Sequence, residues 1–141
     1  MSFDPITLLF LSSGLFLGWA LGANDAANVF GTAVGTKMVT WRTAAITCSL
    51  FVILGALVSG SGTTHTLGKL GAISALPGAF MTALSAGFSV LIMTKSGLPV
   101  STSQAIVGAI IGWNFFSKSP TDSFLLTQIL STWVLCPIIA G

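Results

Sequence analysis

The sequence predicts an all-α membrane protein with about four transmembrane helices and one re-entrant helical hairpin. Of its 141 residues, 53% are hydrophobic and only 6% are charged, whereas soluble domains carry roughly 25% charged residues. The mean hydropathy is +0.97, and the 16 glycines fit membrane helices, in which glycine is commoner than in soluble ones. The apolar residues also fall in runs long enough to cross a bilayer core of roughly 30 Å.

The composition excludes several other classes of protein. Five scattered Lys and Arg residues give a net charge of +2 and form no basic patch, so we expect no nucleic-acid partner. Cys48 and Cys136 lie in apolar runs without a Cys or His at metal-ligand spacing, which excludes a disulfide scaffold. The sequence shows no nucleophile-base-acid set and no Gly-rich nucleotide loop, so we expect neither an enzyme nor a cofactor.

Five apolar segments define the expected organisation. They lie near residues 6–36, 43–60, 72–94, 97–116 and 122–141. The first would be about 46 Å long as one helix, so it must tilt, break or protrude from the bilayer. The last ends at Gly141 without a polar flank, so we expect the chain to be truncated in the middle of an element.

The cations predict the topology, because Lys and Arg accumulate in cytoplasmic loops. With Lys37 and Arg42 inside the cell, the N-terminus and Lys69 lie outside and Lys95 lies inside. The position of Lys118 depends on segment 97–116. A full crossing splits the cations three inside to two outside, whereas a segment that enters and returns splits them four to one. The four-to-one split places more cations inside the cell and so agrees better with this rule, which favours a re-entrant hairpin.

The start of the same segment supports this interpretation. Gly97, Leu98 and Pro99 precede a polar run inside an apolar stretch. Irregular backbone at membrane depth is tolerated only where it is buried in protein or lines a polar cavity. We therefore expect the hairpin tip to face a site.

Asp25 is the only acid within an apolar segment, and Asn24 and Asn28 lie beside it. A carboxylate in lipid costs at least roughly 2.5 to 3.5 kcal/mol on insertion scales, and such residues usually mark ion or substrate pathways. Side-chain oxygens are the ligands that small hard cations prefer. The three residues therefore predict a cation site. The alternative is a polar contact between helices, or an Asp that caps a broken helix.

Ser101, Thr102, Ser103 and Gln104 follow Pro99 and precede an apolar run, an order typical of a helix N-terminus. Such a terminus offers unpaired backbone N–H groups to an anion, and discontinuous helices of transporters present substrate sites in this way. The alternative is a capped loop that only fills a gap between helices. Together with the acid in the first segment, the run indicates a site for an anion and a coupling cation.

Two further features have structural interpretations. Glycines recur at every fourth residue, a spacing that permits close helix packing in membranes, at Gly14, Gly18 and Gly22 and at Gly108 and Gly112. His65 lies in a polar stretch, where we expect a loop.

Two motifs together resemble the inorganic phosphate transporter family. They are GANDAAN at residues 22–28, followed by FGTAVGTK, and GLPVSTSQAIVGAIIG at residues 97–112. Both occur in the order and separation typical of the family, and the resemblance covers almost the whole chain. That family is built from two related halves of inverted topology. The resemblance implies that residues 1–141 form a single transmembrane half-repeat, the N-terminal one, in an inverted-repeat transporter.

The resemblance also implies an activity, which is sodium-coupled symport of inorganic phosphate across the cell membrane by a multi-pass protein. The partners would be phosphate, sodium ions, the lipid bilayer, and a second half-repeat of the same carrier or a second copy. A carrier of sulfate or a related oxyanion stays open, as does a channel or structural membrane subunit.

Site residues follow from the same resemblance. The sodium ligands would be Asn24, Asp25 and Asn28. The phosphate-binding residues would be Ser101, Thr102, Ser103 and Gln104. Many family members carry a His where this sequence has Gln104, and its absence favours sodium over proton coupling.

Overall fold

The computed structural model of the chain describes residues 4–70, 76–98 and 100–141. Within these ranges the chain forms five helices: α1 (Pro5–Gly35), α2 (Trp41–Leu70), α3 (Leu76–Lys95), α4 (Thr102–Ser117) and α5 (Ser123–Ala140). All except α4 are long and apolar enough to cross a membrane. The predicted class, an all-α membrane protein, is confirmed.

Helix α1 is continuous through the acidic motif. It begins where the Asp4 side chain accepts a hydrogen bond from the Ile6 backbone N–H at 3.3 Å, and Pro5 occupies the first turn, where its missing N–H costs nothing. The helix continues without interruption to Gly35, a length of about 46 Å. Because α1 does not break, the carboxylate of Asp25 projects from a regular helix.

Helix α2 extends ten residues beyond the expected end at residue 60. The polar stretch contains no proline, and its hydroxyls can bond within the helix, as Thr66 Oγ1 does to the Gly62 carbonyl at 3.0 Å. The expectation that His65 lies in a loop is therefore wrong. The expected start of the third segment at residue 72 lies outside the described residues.

Helices α1 and α3 run parallel, as their ring contacts show. The Phe10 and Phe80 ring centroids are 5.7 Å apart, and those of Phe16 and Phe88 are 5.1 Å apart. In each pair the two residues are about seventy positions apart in the sequence. The two helices therefore run in the same direction, with a nearly constant offset in residue number along their contact. That register places the end of α3 beside Asn24 of α1.

Helix α4 runs antiparallel to α3, and the two form a helical hairpin. Trp113, near the end of α4, lies against Gly78, near the start of α3. The described residues of the hairpin tip, 96–98 and 100–101, lie beside Asn24 through Val100. Asn24 precedes the end of α1 by eleven residues, or about 16 Å. The hairpin tip therefore ends well within the length of α1.

This arrangement corrects the predicted hairpin. We expected segment 97–116 to enter the membrane and return by itself, but residues 102–117 form one helix that does not turn back. Nothing after Ser101 interrupts its backbone hydrogen bonds until Lys118, which adopts a left-handed conformation at the C-terminal cap. The arms of the hairpin are α3 and α4, so Lys95 and Lys118 lie at opposite ends of α4. Counting cations could not reveal where the chain turns.

A topological prediction follows from the hairpin. The Asp122 backbone N–H donates to the Leu70 carbonyl at 3.3 Å, so Lys69 and Lys118 lie at one end of the bundle, and Lys37 lies at the other. In single-lysine variants of the full-length parent, an impermeant amine reagent should label Lys69 and Lys118 from the same side of the membrane. Labelling of Lys118 from the side of Lys37 would contradict this arrangement.

A small apolar cluster joins α2, α4 and α5. Leu70, Val107 and Ile110 are buried, and Ile129 and Trp133 of α5 pack against them. Helix α5 begins at Asp122, whose carboxylate accepts hydrogen bonds from two backbone N–H groups of the first turn, each at 3.0 Å. This cluster holds α4 against α2 and α5.

Two glycines permit the close helix contacts, and neither belongs to the predicted pairs. A Cβ at Gly87 would lie 2.8 Å from the Phe16 ring and 3.4 Å from the Leu17 backbone. A Cβ at Gly78 would lie 2.9 Å from Trp113. At the glycines predicted from their spacing, an added Cβ would meet nothing within 4 Å. The prediction that those glycines mediate packing is therefore wrong within the described residues.

Gly87→Ala should consequently destabilise the protein. The added methyl group cannot fit without displacing Phe16, and such overpacking typically costs about 1 to 3 kcal/mol. Thermal unfolding of the full-length parent in detergent would show a lower Tm. Phe16→Leu, which removes the ring, should restore part of the loss in the double variant. Equal Tm values for Gly87→Ala and the parent would show that the contact is not tight.

Candidate functional site

The centre of the site is the side-chain amide of Asn24, which is 4% exposed. Its Nδ2 donates to the Val100 carbonyl at 3.0 Å and to Asp25 Oδ1 at 3.1 Å. Its Oδ1 accepts a hydrogen bond from the Thr94 hydroxyl at 3.2 Å. One buried amide thus joins α1, the end of α3 and the residue that precedes the N-terminal cap of α4.

The carboxylate of Asp25 lies beside the N-terminus of α4. One oxygen accepts from Asn24, and the Thr102 hydroxyl lies 3.5 Å from the other. A donor-acceptor distance of 3.5 Å is long for an O–H···O bond, so this contact is weak. The Asp25 side chain is exposed. The result is a charged group with an open face, next to the positive end of a helix dipole.

The local sequence explains why α4 begins at this point. Gly97 has a φ of +70°, which a glycine adopts without a steric penalty, and its N–H bonds to the Thr94 carbonyl at 3.1 Å. Ser101 is the N-terminal cap of α4, and its hydroxyl accepts from the Gln104 N–H at 3.4 Å. The other N–H groups of the first turn have no partner within the helix, so they are available to an anion.

The four predicted phosphate-binding residues do not share one face. The Thr102 hydroxyl faces Asp25, whereas the Ser101 hydroxyl caps the first turn of α4. Ser103 lines a cavity of about 450 Å³ with Thr66 of α2 and Trp133 of α5, whereas Gln104 lines a groove of about 600 Å³ between α3 and α4. Successive helical residues are about 100° apart, which explains the divergence. Phosphate binding by these four residues stays a prediction.

The predicted sodium ligands also differ in environment. Asn28 lies one turn beyond Asn24 and is exposed, as Asp25 is. Both donors of the Asn24 amide and one acceptor site of its oxygen are occupied by protein groups. Asp25 and Asn28 are therefore accessible to an ion, whereas Asn24 is buried and bonded to three protein groups.

Sequence reasoning missed Thr94 and the Val100 carbonyl. Thr94 has one weak sequence signal, which is a hydroxyl at the end of an apolar helix just before an irregular tip. The Val100 contribution comes from the backbone, so no residue type could have indicated it.

Comparison with known proteins identifies the family. The sequence profile described as "Phosphate transporter family" matches residues 21–141. This chain belongs to that family. The match includes both the Asp25 motif and the hairpin tip, so the contacts described above lie inside the family's shared region.

Individual relatives agree with the profile. The chain is 34% identical over 155 residues to a protein of Thermococcus kodakarensis named "Putative phosphate permease", with 98% of this chain and 36% of that protein covered. It is 33% identical over 147 residues to "Inorganic phosphate transporter 2-1, chloroplastic" of Arabidopsis thaliana, with 96% of this chain and 24% of that protein covered. The chain thus spans about a third or less of the length of these relatives. No solved structure shows significant similarity to it.

Proposed function

We propose that this chain forms part of a carrier that moves inorganic phosphate together with sodium ions across the cell membrane. The observation that carries the proposal is the placement of Asp25 beside the N-terminus of α4. A carboxylate that attracts a cation and a helix terminus that attracts an anion meet at one point. Coupled transport of opposite charges needs such a pair, whereas a purely structural subunit does not.

The anion half of the site would consist of backbone N–H groups and hydroxyls. Residues 96–104 contain no Lys or Arg, so helix-terminal N–H groups, hydroxyl donors and a nearby cation would have to compensate the charge of phosphate. Ser101 and Thr102 would donate through their hydroxyls, of which that of Thr102 lies 3.5 Å from Asp25. Ser103 and Gln104 would contribute through backbone N–H groups or after a rearrangement of the tip.

The cation half would be centred on Asp25. A bound sodium ion is compensated by one carboxylate and takes further oxygens from neutral groups, for which Asn28 is exposed one turn away. In the described part of the chain no Lys, Arg or His forms an ion pair with Asp25. Its negative charge is thus available to a cation.

The acid also favours phosphate over sulfate. Phosphate near neutral pH retains at least one P–OH hydrogen that it can donate to a carboxylate, whereas fully ionised sulfate has no hydrogen to donate. An anion bound next to Asp25 would therefore gain a hydrogen bond if it is phosphate and meet only charge repulsion if it is sulfate. The names of the two relatives agree with this preference.

A complete carrier would need more than this chain. We propose that a second half-repeat of the parent polypeptide, or a second copy, completes the site, and that the N-terminus of this chain faces the outside of the cell.

Uptake into vesicles tests the proposal. The full-length parent would be reconstituted into liposomes, and accumulation of radiolabelled phosphate would be measured with an inward sodium gradient and with potassium in its place. Accumulation that requires the sodium gradient and resists excess sulfate is the expected result. Equal accumulation in potassium would contradict sodium coupling. Flux that only equilibrates phosphate would indicate a channel, and competition by sulfate would indicate a broader oxyanion carrier.

A further inference from the structure

We propose that Asn24 and Thr94 are positioning residues that hold the hairpin tip against Asp25, and that Asn24 acts through its hydrogen bonds and not as a cation ligand. The inference rests on the proposed function for its consequence in transport. Its structural part, a fixed hairpin tip, can be tested without any transported ion.

Protein groups already occupy three of the four hydrogen-bonding positions of the Asn24 amide. A side-chain amide has two N–H donors and two acceptor sites on its oxygen. Both donors are used, one on Asp25 and one on the Val100 carbonyl, and the oxygen accepts from Thr94. A cation at the oxygen would have to share it with the Thr94 hydroxyl, in a side chain that is only 4% exposed.

The Val100 carbonyl and the Asp25 carboxylate set the orientation of the Asn24 amide. Because both groups can only accept hydrogen bonds, the NH₂ group faces them, and the Asn24 oxygen faces α3, where it accepts from the Thr94 hydroxyl. A flipped amide would place its oxygen against the Val100 carbonyl and the Asp25 carboxylate, and three acceptors would then meet without a hydrogen. Thr94 therefore adds a third hydrogen bond to the one orientation in which Asn24 joins the acid to the tip.

The Val100 carbonyl depends on Asn24 for its contact with α1. It lies immediately before the N-terminal cap of α4, at a backbone position between helices. Its hydrogen bond to α1 spans 76 residues of sequence and places the start of α4 relative to Asp25. Without that bond, the helix terminus and the carboxylate would no longer be held in one arrangement.

The neighbouring residues Asp25, Asn24 and Thr94 therefore have different roles. Asp25 supplies charge, while Asn24 and Thr94 set the position of that charge relative to the first turn of α4. Loss of either positioning residue should both loosen the tip and weaken sodium binding. The effects of losing Asn24 and of losing Thr94 should not add, because Thr94 acts through Asn24.

The experiment uses the full-length parent in lipid nanodiscs, with its native cysteines replaced. Spin labels at Leu9→Cys and Leu98→Cys report the position of the tip relative to α1. Both leucines are exposed, and Leu9 precedes Asn24 by fifteen residues, or roughly 22 Å along the helix. The width of the distance distribution measures how firmly the tip is held. Sodium affinity without phosphate is measured by calorimetry on the same variants without labels.

Thr94→Val is expected to broaden the distribution and to weaken sodium binding by about 5- to 10-fold, the effect of one lost hydrogen bond of ordinary strength. Asn24→Ala removes three hydrogen bonds and should change both readouts in the same direction by at least as much. The double variant should be no worse than Asn24→Ala alone. Thr94→Ser, which keeps the hydroxyl, should restore both readouts. Thr82→Val is the matched control, because the Thr82 hydroxyl bonds within α3, to the Gly78 carbonyl at 2.7 Å.

Every other outcome contradicts either the positioning role of Asn24 and Thr94 or the proposed sodium coupling. An unchanged distribution in Thr94→Val and Asn24→Ala overturns the positioning role, and so do additive losses in the double variant. Weaker sodium binding in Asn24→Ala with an unchanged distribution identifies Asn24 as a ligand and also overturns it. A parent that binds no sodium contradicts the proposed coupling, whereas the distance distributions still decide whether Asn24 and Thr94 hold the tip.

Discussion

Asp25→Asn is expected to abolish sodium-driven phosphate accumulation by the full-length parent while leaving the protein inserted and folded. The substitution removes the negative charge but keeps the size of the side chain and an oxygen that can accept from Asn24. At an effective dielectric constant of about 20, a unit charge about 4 Å from a cation attracts it by roughly 4 kcal/mol. Sodium affinity should therefore fall by about 100-fold or more.

The control for this prediction is Asp122→Asn. Asp122 caps α5 through hydrogen bonds to the N–H groups of Phe124 and Leu125, and Asn is an equally good cap. This variant should therefore transport phosphate like the parent. Uptake would be compared at matched amounts of reconstituted protein. Normal sodium-driven uptake by Asp25→Asn would exclude the coupling role of the acid.

The composition was sufficient to predict the fold class. With 6% charged residues, the chain cannot cover a soluble globule, and long apolar runs leave membrane helices as the remaining arrangement. The start of α4 was also predictable, because Ser101 follows an irregular segment and can cap a helix. Such signals are local, and each needs only a few neighbouring residues.

Two of the errors concern contacts between residues that are far apart in the sequence. The cation count assigns Lys95 and Lys118 to one side of the membrane and so predicts a turn inside segment 97–116. A charge count, however, carries no information on which helices pair. Thr94 was missed for a related reason. Its partner Asn24 lies 70 residues away, and their contact depends on the parallel register of α1 and α3, which the Phe16 and Gly87 contact helps to set. Hydropathy does not encode that register.

The same geometry predicts that sodium and phosphate strengthen each other's binding. Phosphate affinity should rise with sodium concentration, and by linkage phosphate should tighten sodium binding by the same factor. Calorimetric titration of phosphate into the full-length parent at several sodium concentrations measures the first factor, and titration of sodium with and without phosphate measures the second. Phosphate affinity that does not depend on sodium would contradict a shared site.

Ser101→Ala and Thr102→Ala separate the two halves of that site. Each should weaken phosphate binding by about 1 to 3 kcal/mol, the range for hydrogen bonds to charged groups. Their effects on sodium binding without phosphate should differ. The Thr102 hydroxyl contacts Asp25, so Thr102→Ala should change sodium affinity, whereas Ser101 bonds only to the first turn of α4 and should leave it unchanged.

Two further variants make this last prediction decisive. Ser101→Ala also removes a helix cap, so Ser101→Thr, which keeps a capping hydroxyl, should restore phosphate binding if the hydroxyl is what matters. Thr127→Ala is the matched control for Thr102→Ala, because the Thr127 hydroxyl bonds within α5, to the Ser123 carbonyl at 2.8 Å. If phosphate affinity survives both Ser101→Ala and Thr102→Ala, these hydroxyls do not hold the anion. The role of the hairpin tip would then be confined to its contacts with Asn24 and Asp25.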